Sequence, residues 1–115
     1  MVVLSAEEFE AAVEDGLELI PAEFLDMLEN VAIMVEDEPP AEDPDLLGVY
    51  DGVPLTERDS WGFELPDRIT IFQGPLQRMC DSEAELREEI AITVVHELAH
   101  HFGIDDDRLE QLGWD

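Results

Sequence analysis

The chain has 115 residues, 45% of them hydrophobic, which suits one domain around a single modest core and argues against global disorder. Its formal net charge is −26 at pH 7, with five arginines and no lysine, so nucleic acids and anionic lipid surfaces are disfavoured as partners while cations and basic peptides are drawn in. Cys80 is the one cysteine, which rules out an internal disulfide.

From Met1 to Glu8 there is neither a basic region nor a long apolar stretch, and no apolar run approaches the roughly 20 residues of a membrane helix. The expectation is a cytoplasmic protein without a signal peptide. Ser5 with Glu8 three residues on forms a capping box, and Phe9, Ala12, Val13 and Gly16 follow at helical spacing, which predicts a first helix over residues 6–15. Pro21 suits the first turn of a second helix carrying Phe24, Leu25 and Leu28. Val31 to Val35 is a continuous apolar, β-branched run that reads as a buried strand. Residues 36–45, with Pro39, Pro40 and Pro44, read as a surface loop.

Leu46 to Tyr50 followed by Asp51-Gly52 suggests a strand entering a tight turn, and residues 53–67 look irregular. Residues 68–73 alternate and are β-branched, a second strand closed by Gly74-Pro75, with a short helical turn over residues 76–80. Met79 and Cys80 read as core or near-core. Ser82 with Glu85 makes another capping box and opens a long helix. Leu86, Ile90, Ala91, Val94, Val95, Leu98, Ala99 and Phe102 form its apolar stripe. A last short helix over residues 108–112 takes Asp107 as its cap, with Ile104 as hydrophobic staple.

The long helix carries the chemistry. Residues 96–106 read H-E-x-x-H-x-x-G-x-x-D and contain every histidine of the chain. By the chain's own residue frequencies that pattern arises by accident in about one sequence in ten thousand, so a merely solvated helix explains it poorly. His96 and His100 lie one above the other on a helix, so one cation can take both imidazoles. Glu97 stands where a carboxylate activates water, and Gly103 lets the chain turn back to bring an aspartate to the same ion. Asp106 is the expected third ligand and Asp105 the alternative; Zn2+ suits two neutral imidazoles and one carboxylate with a fourth position left for water. Iron, cobalt and nickel suit the same donors. His101 points about 100° away and reads as packing. Tyr50 could stabilise an oxyanion, but a packing role at a strand end fits its position better.

At these residues the chain resembles the zincin metallopeptidases, and the pattern with Asp in the third slot is similar to that of the metzincins. More broadly it resembles small bacterial zincin-like proteins, the minimal zincins. The resemblance rests on residues 31–40, Gly52-Val53-Pro54-Leu55-Thr56-Glu57-Arg58, Leu65-Pro66-Asp67-Arg68-Ile69, Gly74-Pro75-Leu76 and the motif through Gly113-Trp114. It implies an α/β (α+β) fold, a small sheet packed by helices with the motif helix beneath an open cleft. It also implies His96, His100 and Asp106 as metal ligands and Glu97 as catalytic base. Two departures stand out: no methionine follows Met79, and only nine residues follow Asp106, too few for the second cleft wall of larger metzincins. The strand over residues 68–73 is the expected edge for an extended peptide.

The reading is therefore a zinc-dependent peptidase or related amide hydrolase acting on short or flexible peptides. Its alternative is a non-catalytic metal-binding or acidic interaction module whose zincin site is idle.

Overall fold

The computed structural model describes residues 1–29, 31–52, 67–104, 106–112 and 114, with the side chains of Asp106 and Leu112 left aside. Of the segment 53–67, read above as irregular, residues 53–66 lie outside the described residues, and Asp67 instead opens a strand. Helix α1 (Ala6–Leu17) opens as its sequence demands. Ser5 Oγ accepts from the Glu8 N–H at 3.1 Å, and the Glu8 carboxylate accepts from the Ser5 N–H at 2.9 Å. The two bonds satisfy backbone donors that a helix start leaves without intrahelical acceptors. The second helix is brief: α2 (Ala22–Leu25) runs into one turn of 3-10 helix, and Pro21 stands at its N-cap.

Three strands follow, β1 (Val31–Glu36), β2 (Gly48–Asp51) and β3 (Asp67–Phe72), in the spatial order β1-β3-β2. β1 runs parallel to β3, pairing Ile33 with Ile69, and β2 runs antiparallel to it, pairing Tyr50 with Ile69. Two expectations change here. β1 is an outer strand, half-buried with Met34 exposed, because among the described residues the long motif helix covers one face of the sheet. β3 is the central strand and has no free edge for a peptide. The strand predicted to recognise a substrate is thus the one both neighbours already use.

Helix α3 (Gln73–Met79) starts directly after β3 and contains Gly74-Pro75 rather than being preceded by it. Proline fits there because a first-turn residue has no intrahelical acceptor for its N–H in any case. Gln73 is buried yet satisfied: its amide donates to the Leu4 carbonyl at 3.0 Å and to Gln77 Oε1 at 3.1 Å, which ties the N-terminal segment to this helix. Cys80 is fully buried, whereas Met79 turns out to solvent.

Helix α4 (Glu83–His101) is the spine of the molecule. Ser82 Oγ caps it by accepting from the Glu85 N–H at 3.1 Å. The anticipated stripe from Leu86 to Ala99 is buried against the sheet on one side and α1 on the other, joined by Phe9, Phe24, Ile69, Ile71 and Leu76 in one cluster. Phe102 departs from that stripe. It stands just past the helix end, 51% exposed, with its ring edge-on to His101. The helix stops because Gly103 takes φ +76°; the Ile104 N–H then reaches the Ala99 carbonyl at 2.8 Å and the Gly103 N–H that of His100 at 3.4 Å. These two bonds close the helix as a Schellman turn.

Helix α5 (Asp106–Leu112) begins two residues ahead of the expected start, so Asp107 lies inside its first turn rather than capping it. Leu109 is fully buried and Ile104 packs against the same core, as a staple would. Among the described residues no helix is long and apolar enough to cross a membrane.

Candidate metal centre

α4 presents His96 and His100 one turn apart, with ring centroids separated by 6.2 Å and planes tilted by 56°. His96 is half-buried and His100 exposed. Between them Glu97 leaves the helix about 100° further round, toward the outer strand β2. β2 comes that close because Gly48 has no side chain: a Cβ there would stand 2.9 Å from Thr93 Cγ2, 3.2 Å from the Thr70 carbonyl and 3.6 Å from Glu97 Cγ. An isolated glycine in a strand is a mark of close backbone approach, a signal present in the sequence but not used above.

The hydrogen-bond phase of β2 decides what its outer side offers. The Leu47 carbonyl accepts from the Phe72 N–H at 3.0 Å, so the two-residue alternation turns Val49 and Asp51 toward β3 and Gly48 and Tyr50 away from it. The outward N–H of Tyr50 binds the Glu97 carboxylate. Burial pushes the Glu97 carboxyl above the ordinary carboxylate range; the charge of His100, the Tyr50 N–H and the charge of His96 pull it back down. Glu97 is thereby a carboxylate kept partly out of water, held at a strand edge and flanked by two imidazoles.

Tyr50 also braces the helix end. Its ring stacks on His101 at 3.9 Å between centroids, nearly parallel, and its hydroxyl donates to Asp67 Oδ2 at 2.7 Å. Both residues thus take the packing roles expected of them. Trp114 enters the sequence reading only as the end of the resembling stretch, yet its backbone carbonyl lies 2.8 Å from His96 Nε2. A carbonyl can only accept, so in this contact His96 donates from Nε2. The Trp114 indole meets Phe24 edge-on at 6.4 Å. No local pattern marks a backbone carbonyl as a partner.

The donors suit zinc in kind: two imidazoles on one helix face beside a carboxylate. Their present arrangement is wider than an ion would hold. Two imidazoles sharing one tetrahedral ion at about 2.1 Å bonds stand with centroids roughly 5 Å apart, and His96 must give up the Trp114 carbonyl to close that gap. Among the described residues no three His, Cys, Asp or Glu side chains gather closely enough to hold a metal. The third-ligand expectation, the Asp106 side chain with Asp105 as alternative, falls outside the described residues.

The model of the zincin-like metallopeptidase family matches residues 28–114 of the chain. The chain belongs to the zincin-like metallopeptidase family. The match takes in the motif, the sheet and the Trp114 segment, so membership supports metal-dependent peptide hydrolysis as the general class of chemistry and zinc as the general class of cofactor. A conserved hypothetical protein from T. thermophilus is similar in structure, with a TM-score of 0.54 and 24% identity over 96% of this chain and 100% of that one. At that identity the likeness shows a shared fold. No curated protein matches the chain.

Proposed function

We propose that this zincin-like chain is a zinc-dependent metallopeptidase or related amide hydrolase that acts on short or flexible peptides, with Glu97 as its base. The observation that carries the reading is the setting of Glu97: a half-buried carboxylate between two motif histidines, bound to the outer edge of β2. His96 and His100 would hold zinc, with Asp106 as third ligand. Bound zinc supplies Lewis acidity and lowers the pKa of water toward about 7. Glu97 takes the proton of the attacking water and returns it to the leaving amine, a task helped by a carboxyl whose pKa burial has raised above the ordinary carboxylate range. Gly48 turns its N–H and C=O to the outer side of β2, where an extended peptide can pair as an added strand. This outer strand replaces β3 as the recognition edge. The unpaired, buried Cys80 accords with a cytoplasmic setting, which forms part of the same proposal.

A non-catalytic reading has one observation in its favour. The bond from His96 to Trp114 already ties the C-terminal segment to α4, and a structural ion that took His96 in its place would supply a fastening of the same kind. One variant separates the two. After purification without chelator and zinc loading, Glu97→Gln should retain close to one equivalent of zinc by mass spectrometry and lose at least a hundredfold in peptide turnover. Unchanged hydrolysis would remove Glu97 from its role. Zinc below one tenth of an equivalent in the parent would end the metallopeptidase reading.

A further inference from the structure

A groove of about 260 Å³ opens beside Glu97 and runs along α4 toward its N-terminus. That volume lies below the range of pockets for drug-sized ligands and suits a single side chain. Leu46, Leu47 and Ile92 supply apolar walls, His96 and Glu97 stand at one end, and Glu89 stands at the other. Glu89 is seven residues before His96 and eight before Glu97, two helical turns along the same face. It is half-buried and has no hydrogen-bond or ion-pair partner among the described residues.

We propose that this groove receives the side chain of an arginine or lysine next to the scissile bond, with Glu89 binding its cation. The inference rests on the peptidase reading and names the substrate class of that site. Length supports it: eight residues of helix put Glu89 roughly 12 Å along the axis from Glu97. An extended basic side chain spans roughly 6–7 Å, and the Glu89 side chain with the peptide backbone beside the reacting carbonyl covers the remainder. Lining supports it as well. The methylene stem of a basic residue lies against apolar surface while its charged head seeks a carboxylate. An aliphatic side chain would fill the walls but leave Glu89 shut from water without a partner, which penalises it. The net charge of −26 draws any basic peptide toward the molecule, and Glu89 is the carboxylate that stands at the far end of this groove among the described residues.

The test uses the full chain, zinc-loaded, and two end-blocked fluorescent pentapeptides of alanine with arginine or norleucine at the centre. Binding is read by anisotropy at 0.15 M NaCl and products by mass spectrometry. The arginine peptide is expected to bind about tenfold or more tightly than the norleucine peptide. Glu89→Gln should cut that preference to about twofold, whereas Glu88→Gln, which removes the same charge outside this groove, should leave it intact. Equal binding, no binding of either peptide, or a preference that survives Glu89→Gln overturns the assignment. Binding through Glu89 without any hydrolysis supports the groove and removes the peptidase reading; hydrolysis without preference for arginine does the reverse.

Discussion

Glu97 is the residue whose environment works against the fold. Burial raises its pKa, so the folded chain holds that proton more tightly than the unfolded chain does. Its contribution to stability is therefore fully present below the unfolded carboxyl pKa, about 4.3, and is lost as pH rises through the folded value. At pH 7 the ionised group opposes folding, the usual expense of a reactive site. Glu97→Gln keeps the shape and removes the charge. In metal-free protein its Tm should exceed that of the parent by about 1–3 °C at pH 7, a gain kept small because Glu97 is still partly exposed to solvent. The difference should shrink toward zero by pH 4. A parent more stable than Glu97→Gln across that range would mean that the Tyr50 N–H and the two histidines outweigh burial, contrary to the order of effects given above.

At the scale of elements, the site depends on how closely β2 lies on α4, and Gly48 sets that distance. Thr93, which a Cβ at position 48 would meet at 2.9 Å, is buried and β-branched, so it has no open rotamer to retreat to. Gly48→Ala must push β2 outward at a cost of about 1–3 kcal/mol. The Tyr50 N–H would move off Glu97 with it. Turnover should fall at least tenfold while zinc content stays near one equivalent, measured by mass spectrometry on the same sample; full turnover would show that the contact between β2 and Glu97 is idle. This dependence also explains what could be read from the residues alone. The caps at Ser5 and Ser82 and the stop at Gly103 were legible because each is decided within three or four residues. The motif helix and its buried stripe were legible for the same reason, since both follow the helical period. Strand order was not: residues 31–35 and 68–73 look alike as apolar runs, and only pairing between segments far apart in the chain makes one an edge and the other central. The Trp114 carbonyl was illegible in a stricter sense, because a backbone group has no side-chain identity to read.

For the whole molecule the dominant fact is charge. Thirty-one acidic residues face five arginines within principal extents of 44 × 32 × 27 Å. At 0.01 M ionic strength the screening length is about 30 Å, so each carboxylate is repelled by nearly every other; at 1 M it is about 3 Å and that repulsion is confined to neighbours. Salt also weakens attractions, but the described ion pairs are few and exposed: Arg78 with Glu38 at 2.8 Å, Arg87 with Glu83 at 4.0 Å and the N-terminus with Asp81 at 3.5 Å. Exposed pairs of this kind contribute about 0–1 kcal/mol each, and net repulsion from a charge of −26 acts on the entire compact state. Repulsion wins that comparison. The Tm of metal-free protein should rise by about 5 °C or more between 0.01 M and 1 M NaCl, since each kcal/mol moves a domain of this size by roughly 4–8 °C. The same series in potassium chloride should coincide with it if screening is the cause. A flat or falling Tm would place the stabilising carboxylate contacts in the folded state above their mutual repulsion, and the acidic surface would then be part of what holds the fold.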